Sequence, residues 1–289
     1  MSTLCYWLLL AVVYPLACLP GRVLFAFSDV LYFMIYHVFG YRKSVVYTNL
    51  ARSFPEKNYG EIKDIAKRFY RYFTDLYIET LRTLCFSRAK MDRMVHVANL
   101  ERLEHYMRQH RSVVMVTAHY GNWEYFLKIS LHFPLKVAYK PQSVRAIDRL
   151  MTRLRLHYNK SAIIPMQNMA RYMLQHKKET YNYLFIADQS PSPQSKCWMR
   201  FLNQDTLFFG GAGKLAQALD LPVLYAEMQR TTRGHYRLTF TTVCEHAAQL
   251  PEQEITRRCA ELMEQSIVRE PAFWLWTHKR WKRKRNTEA

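Results

Sequence analysis

The chain has 289 residues, enough to bury a large core in one or two domains. Its 42 Lys and Arg residues against 23 Asp and Glu give a formal net charge of +19, which favours an anionic partner such as nucleic acid, anionic lipid or an acidic carrier protein. The 20 Tyr, 16 Phe and 6 Trp residues, mixed with basic ones, favour a membrane–water interface.

The first 40 residues are strongly apolar. The run 4–19 carries no charge, but at about 16 residues it is short for a straight span of a ~30 Å hydrocarbon core. No charged residue precedes it, which argues against a signal peptide. A second apolar run, 23–39, is followed by three basic residues: Arg42, Lys43 and Arg52. We predict that residues 1–40 form a membrane-inserted or interfacial anchor with its basic flank on the cytoplasmic side; the alternative is a buried helical hairpin of the same globular domain.

Residues 41–289 read as one domain in which helices and strands alternate. Apolar residues at helical spacing predict a long helix over 61–84 with a basic outer side, and a short helix over 100–109 precedes the strand 113–117. Further strands are predicted at 135–139, 162–165, 182–187, 222–228 and 236–243, and helices at 143–158, 167–176 and 252–268. The alternation predicts an α/β fold with a mixed, mostly parallel sheet flanked by helices.

The strongest chemical signal lies where the strand 113–117 ends. His119 follows this strand, and Gly121 and Asn122 then break the strand pattern, with Asn122 a candidate N-cap. Glu124 falls in the first helical turn, from which its carboxylate can reach back to His119. A neutral histidine held by a carboxylate is a general base with a fixed tautomer, and the carboxyl end of a strand is where α/β folds place ligands. We predict that His119 acts directly on a substrate hydroxyl, since the motif contains no Ser or Cys; the alternative is simple capping.

Two further motifs are weaker. Asp188 ends the strand 182–187 and precedes the turn-rich sequence Gln-Ser-Pro-Ser-Pro. It is either a second carboxylate of the site, holding a basic residue or the acceptor, or a turn-capping residue. The glycine-rich stretch 210–214 resembles a phosphate loop but lacks the Walker spacing, which favours a tight turn before a packed helix.

The carboxyl-terminal segment combines tryptophans with basic residues. Six of the eight residues from His278 to Arg285 are Lys or Arg, and Trp274, Trp276 and Trp281 are interleaved before and among them. This pattern predicts contact with an anionic membrane surface, with the indoles at headgroup depth or packed against the core. Nothing in it matches a base-reading nucleic-acid module.

The six cysteines are scattered along the chain: Cys5, Cys18, Cys85, Cys197, Cys244 and Cys259. None forms a CxxC pair or a His/Cys cluster, so we expect neither a zinc site nor a disulfide framework. This usage fits a reducing compartment.

Four features, taken in chain order, resemble the late acyltransferases of lipid A biosynthesis, the lauroyl/myristoyl acyltransferase family with its HxxxxD/E motif. They are the apolar amino terminus, His119–Glu124, Ala187–Gln189 and Trp274–Arg280. The likeness spans nearly the whole chain. One departure is Lys140, which stands where arginine is expected and keeps the charge but not the bidentate fork.

The resemblance implies an α/β acyltransferase core that moves a fatty acyl chain from a thioester, on acyl carrier protein, to a hydroxyl of a lipid A precursor in lipopolysaccharide biosynthesis. His119 would remove the hydroxyl proton while Glu124 orients the imidazole. Lys140, Arg153 or backbone amides would stabilise the oxyanion, with Asp188 also contacting substrate. No cofactor, metal or covalent enzyme intermediate is needed.

The resemblance also implies a place in the cell. The enzyme would sit at the inner (cytoplasmic) membrane with its catalytic domain on the cytoplasmic side, in contact with an anionic membrane surface and with no nucleic-acid partner. Two alternatives remain open. One is an acyltransferase acting on a lysophospholipid or an amino-acid lipid. The other is a non-catalytic basic protein that binds a membrane surface or nucleic acid.

Overall fold

The computed structural model describes residues 2–157, 161–192 and 194–285. The helices are α1 (Ser2–Ala17), α2 (Gly21–Tyr32), α3 (Lys43–Ser53), α4 (Tyr59–Arg82), α5 (Arg88–Met94), α6 (Glu101–Arg108), α7 (Arg145–Arg155), α8 (Met166–Gln175), α9 (Gly211–Leu219) and α10 (Glu252–Arg269). The strands are β1 (Val95–Val97), β2 (Val113–Thr117), β3 (Leu135–Tyr139), β4 (Ser161–Pro165), β5 (Asn182–Ile186), β6 (Cys197–Phe201), β7 (Gln204–Phe208), β8 (Val223–Thr232) and β9 (His235–Cys244). A π-helical turn, Phe33–Val38, continues α2, and 3₁₀ segments occupy Thr83–Cys85, Trp123–Leu131, Ala247–Gln249 and Pro271–Phe273.

A seven-stranded sheet of order β1-β9-β8-β2-β5-β3-β4 forms the centre of the molecule. The strands β8, β2, β5, β3 and β4 run parallel, whereas β9 is antiparallel to β8 and parallel to β1. The prediction of an α/β fold with a mixed, mostly parallel sheet is confirmed.

Both faces of the sheet are covered, as continuous apolar runs in parallel strands require. Along β2, Val114 and Val116 point into a core shared with α3, α4, α9 and α10, while Val113 and Met115 point into a second core shared with α5, α6 and the 3₁₀ segment Trp123–Leu131. All five residues of β2 are buried. The carboxyl end of β2 and the residues that follow it therefore start from the central strand of the sheet.

Several local predictions need correction. The segment after Asn122 forms 3₁₀ rather than α-helical turns, and the predicted helix 143–158 is shorter, as α7. The β6–β7 hairpin and α3 carry too little apolar periodicity to be predicted from sequence.

The apolar amino-terminal segment packs on the domain by one side only. In α1, residues at helical spacing are buried against α4, α7 and the turn after α4: Tyr6, Leu10, Val13 and Ala17. In α2, Leu24 and Ser28 are buried, and α2 packs along α4. The opposite side leaves large apolar side chains exposed: Leu4, Trp7, Leu8, Val12, Leu16, Leu19, Val23, Phe27, Val30 and Phe33. By length and composition, one helical run among the described residues, Gly21–Val38, is suited to cross a membrane.

Polar contacts and a disulfide also fix this segment to the domain. Ser28 Oγ donates to Asp75 Oδ1 at 2.7 Å, and Arg233 Nη2 lies 2.7 Å from Asp29 Oδ1. Cys18, which follows α1, is disulfide-bonded to Cys85, because the packing of α1 on the turn after α4 brings their Cα atoms to 5.6 Å. We expected no disulfide framework from the sequence and did not predict this single pair, which is separated by 67 residues in sequence.

Candidate active site

The candidate site lies at the carboxyl ends of two neighbouring parallel strands. His119 comes two residues after β2, and Asp188 comes two residues after β5. The strands pair in register from Val113–Asn182 to Thr117–Ile186, and the Ala187 amide donates to the Thr117 carbonyl at 3.0 Å. Equal offsets from paired strands bring the two side chains together.

Asp188 holds His119 in one orientation. The Nδ1 atom of His119 lies 2.6 Å from Asp188 Oδ1, and the His119 backbone N–H donates to Oδ2 at 3.0 Å. The indole of Trp274 also donates to Oδ2, at 2.7 Å. Burial opposes ionisation of this fully buried carboxyl, but the positive charge of the imidazole when it is protonated, together with these hydrogen bonds, lowers the pKa of Asp188 to about 2. An ionised carboxylate only accepts hydrogen bonds, so Nδ1 carries the proton.

The second ring nitrogen of His119 faces Gln189. The Gln189 side-chain amide nitrogen lies 3.1 Å from His119 Nε2. Because an amide nitrogen only donates, Nε2 is the accepting nitrogen of a neutral imidazole. The ring of Trp123 packs edge-on against the imidazole with centroids 4.8 Å apart. Gln189 is exposed, so this accepting nitrogen is at the accessible side of the site.

Glu124 is placed differently from the expectation. Arg155, on α7, donates from Nε and Nη2 to its two carboxylate oxygens at 2.9 and 2.6 Å. Burial disfavours the guanidinium charge, but Glu124 outweighs it and raises the pKa of Arg155. Asp188, rather than Glu124, is the carboxylate bonded to the imidazole, because the turn after His119 points Glu124 at α7. The expected Asn122 cap is confirmed, with its side chain accepting from the Glu124 N–H at 3.2 Å.

Helix α4 and strand β8 support the turn that carries the motif. The hydroxyl of Tyr72 donates to the Gly121 carbonyl at 2.6 Å, and the Asn122 amide donates to buried Glu79 at 3.1 Å. Gly121 has φ of +58°, and a Cβ there would lie 1.9 Å from the Met228 carbonyl oxygen. Only glycine fits this close approach.

The carboxyl-terminal segment closes the other side of the site. Ser190 donates its N–H to His278 Nε2 at 3.2 Å and its hydroxyl to the Arg280 carbonyl at 2.6 Å. Burial lowers the pKa of His278 to about 4, so it is the neutral acceptor that this contact needs. The segment thereby holds the loop that presents both Asp188 and Gln189.

The structure decides between the two alternatives left open for the tryptophans and removes Arg280 from the predicted membrane contact. Trp274 and Trp276 are buried in the core, and the partly buried Trp281 donates to Thr206 Oγ1 at 2.7 Å. The side chain of Arg280 is buried, donates to the Leu207 carbonyl and lies over the Phe208 ring. These buried and partly buried side chains pack beneath the candidate site. The basic and aromatic composition of the segment did not predict this packing.

The predicted oxyanion and substrate residues are more dispersed. Lys140 is exposed and directly follows β3, the neighbour of β5, so it lies at the same sheet edge as His119 and Asp188. Arg153 is exposed on α7 and lines a cavity of about 360 Å³ with α1 side chains, a lining that does not include His119. The side chains of His119 and Asp188 are therefore in contact, whereas Arg153 lies next to α1.

Two other sequence features can be placed. The glycine-rich stretch forms the turn into α9, with Ala212, Gly213 and Ala216 buried against the domain, as a tight turn before a packed helix requires. Among the residues that the structure describes, no three His, Cys, Asp or Glu side chains form a group able to hold a metal ion.

The family model of the bacterial lipid A biosynthesis acyltransferases matches residues 1–283. This match identifies the α/β chain as an acyltransferase. The chain belongs to the bacterial lipid A biosynthesis acyltransferase family and is an acyltransferase of lipid A synthesis, which confirms the resemblance read from its motifs.

Individual relatives are distant but nearly full-length. The chain is 23% identical over 279 residues to the lipid A biosynthesis palmitoleoyltransferase of Escherichia coli (strain K12), covering 96% of this chain and 88% of that protein. It is 23% identical to a lipid A biosynthesis acyltransferase of Shigella flexneri, with the same coverage. It is 21% identical over 285 residues to the Haemophilus influenzae lipid A biosynthesis acyltransferase, covering 96% of this chain and 90% of that protein.

Proposed function

We propose that the enzyme transfers a fatty acyl chain from the thioester of acyl carrier protein to a hydroxyl of a lipid A precursor, at the cytoplasmic face of the inner membrane. The observation that carries this proposal is the state of His119. Its Nδ1–H is held by Asp188, and its Nε2 accepts a hydrogen bond from an exposed amide. That is the arrangement of a general base waiting for a hydroxyl donor.

In the proposed mechanism, the acceptor hydroxyl replaces the Gln189 amide at His119 Nε2. The hydroxyl proton moves to Nε2 as its oxygen forms a bond to the thioester carbonyl carbon. The imidazolium is stabilised by ionised Asp188 at 2.6 Å. The tetrahedral intermediate then expels the thiolate, which takes the proton from Nε2 and leaves as a thiol. The displaced Gln189 amide remains within reach as a donor to the reacting oxygens.

The further oxyanion donors are assigned by position. Lys140 stands at the same sheet edge as the base, and its compact ammonium suits a developing negative charge. Arg153 borders the cavity beside α1, where it would contact substrate arriving from the lipid side. In this proposal Glu124 is a positioning residue, since its pairing with Arg155 fixes the segment after His119 against α7.

The proposals of membrane attachment and of an acyl carrier protein as donor rest on exposed apolar side chains and on net charge. The exposed apolar sides of α1 and α2 supply area for a bilayer, so residues 1–40 are proposed as the anchor of a catalytic domain comprising residues 41–289. The net charge of +19 suits both an anionic leaflet and an acidic carrier protein.

Replacement of the base tests the proposal. His119→Ala should lower turnover by roughly 10²–10⁴-fold, the usual contribution of a positioned general base. The matched control is His96→Ala, which removes an exposed histidine on β1, at the sheet edge far from β2. Near-normal transfer by a folded His119→Ala protein, assayed with acyl carrier protein thioester and lipid A precursor, would refute the mechanism.

A further inference from the structure

A second polar cavity, of about 710 Å³, lies between α2, α4 and the β8–β9 turn. We call it the arginine pocket, because Arg71, Arg230 and Arg233 line it together with Asp29 and Asp75. Its remaining wall is largely aromatic, formed by Tyr32, Phe33 and Phe273. The proposed chemistry at His119 makes no use of this cavity.

The guanidinium groups of the arginine pocket are unequally paired with carboxylates. Arg233 bonds both carboxylates, at 2.7 Å to Asp29 and 2.6 Å to Asp75, and Arg230 bonds Asp75 at 2.7 Å. Arg71 is exposed and has no ion-pair partner among the described residues; its guanidinium lies 5.1 Å from the centre of the Tyr32 ring. Arg71 is therefore the guanidinium of the pocket that lacks a carboxylate partner among the described residues.

The chain also leaves Arg230 incompletely bonded. Its side chain is only 10% exposed, and its Nε has no hydrogen-bond acceptor among the described residues. A third carboxylate, Glu79, lies 3.8 Å from Arg230 and accepts hydrogen bonds from Tyr236 and Asn122. The exposed and unpaired guanidinium of Arg71, beside one whose Nε lacks an acceptor, favours an additional anion.

The rim of the arginine pocket is apolar. Phe33 lines the pocket and is itself exposed, and Phe27 and Val30 are exposed on the adjoining turns of α2. This surface continues into the apolar side proposed to face the bilayer. A ligand with an anionic group and hydrocarbon chains fits such a rim, whereas a small soluble anion would leave it bare.

The arginine pocket lies next to the turn at residues 119–124. The carbonyl of Phe273, which lines the pocket, accepts a hydrogen bond from the Gly121 N–H at 3.0 Å. The next residue, Trp274, donates a hydrogen bond to Asp188. On the other side, Glu79 lies between Arg230 and Asn122. A headgroup in the arginine pocket would therefore contact Phe273, which bonds the turn after His119 and precedes the tryptophan that bonds Asp188.

We propose that the arginine pocket binds the phosphate group of a membrane amphiphile, with Arg71 as the principal contact and Arg230 supporting it. The inference rests on the proposed function in that the acceptor lipid is one source of this phosphate. The other source is a neighbouring phospholipid.

The binding test uses full-length protein in neutral detergent, with dioctanoyl phosphatidic acid as probe and dioctanoylglycerol as its phosphate-free counterpart. Arg71→Gln should weaken binding of the phosphorylated probe about tenfold, the loss of one charge-assisted hydrogen bond, and leave binding of the neutral probe unchanged. The control is Arg171→Gln, an exposed arginine on α8, which packs on β3 and β4 away from the pocket.

An activity test identifies the source of the phosphate. If it belongs to the acceptor, Arg71→Gln raises KM about tenfold for the phosphorylated acceptor and not for the phosphatase-treated acceptor. If it belongs to a neighbouring lipid, the variant instead loses stimulation by phosphatidic acid in the mixed micelle. His119→Ala should lower transfer by roughly 10²–10⁴-fold and still bind the probe, so the two proposals fail separately. Equal probe binding by Arg71→Gln and Arg171→Gln would overturn the pocket assignment.

Discussion

Asp188 is the carboxylate on which the proposed base depends. Asp188→Asn keeps the size of the side chain but replaces an acceptor-only group with an amide, so the hydrogen bond no longer fixes the Nδ1–H tautomer. We expect turnover to fall by roughly 10²-fold or more, with the same substrate affinity. Turnover and KM are measured beside the thermal unfolding midpoint. A variant that retains wild-type turnover and stability would reduce Asp188 to a turn cap.

His278 predicts a pH dependence of stability. Its folded-state pKa of about 4 lies below the usual value of 6.5, so the unfolded chain binds more protons between these limits. The contribution of His278 is fully present above pH 6.5 and is lost as the pH falls to about 4. That of Asp188, whose pKa falls from 3.8 to about 2, is lost at lower pH.

The matching experiment follows the free energy of unfolding against pH. His278→Gln places an amide near Nε2 and removes the titration, so the decline between pH 6.5 and 4 should become shallower. His96→Gln, at an exposed site, serves as control. Unchanged slopes in both variants would show that His278 does not titrate differently in the folded protein.

At the residue scale, sequence reasoning singled out His119 but not the carboxylate that its imidazole contacts. His119 and the Asn122 cap follow from local spacing, which a single strand and turn determine. The pairing of His119 with Asp188 depends on β2 and β5 being neighbours in the sheet, and strand order is a property of tertiary packing. Equal two-residue offsets from two apolar strands were the available signal. Glu124 was nearer in sequence, but Arg155 binds it.

At the scale of elements, the turn at residues 119–124 depends on its contact with β8. Gly121→Ala would place a Cβ against the Met228 carbonyl oxygen, so the turn or the strand must move. Gly40 has nearly the same φ, +59°, but its nearest neighbour is a Lys43 side-chain carbon at 3.7 Å. We expect about 1 kcal/mol of destabilisation for Gly40→Ala and about 3 kcal/mol or more for Gly121→Ala, with loss of turnover only in the latter. Urea unfolding and transfer assays on both variants measure the difference. Equal costs would mean that the close approach is absent.

Most central elements were predictable because their apolar patterns are long. Strands β2, β3 and β5 and helices α4 and α10 appear close to their predicted bounds. The 3₁₀ segment after Asn122 could not be distinguished from an α-helix, since both bury residues three apart. Composition left the C-terminal tryptophans open between headgroup depth and the core, and the burial of Trp274 follows from packing beside Asp188.

On the scale of the whole molecule, the exposed side of α2 is predicted to determine membrane attachment. Phe27 and Val30 are 47% and 58% exposed, so replacing both with Gln removes apolar area without opening the core. We expect vesicle binding to fall by at least tenfold with the unfolding midpoint unchanged. The control replaces Leu174 and Val268, each 54% exposed, on α8 and α10. Equal vesicle binding by both double variants would contradict the proposed orientation.

The contact between Asp29 and Arg233 spans 204 residues of sequence. A ribosome adding roughly 5–20 residues per second needs about 10–40 s to produce the second partner after the first. Helix α2 can pack on α4 early, but its contact with Arg233 forms only after most of the sheet has been made. Until residue 233 emerges, the β8–β9 hairpin cannot hold α2, and the apolar sides of α1 and α2 that face away from the domain stay exposed. A nascent chain arrested before that point should still present them to a chaperone or to lipid, so insertion has time to precede completion of the sheet.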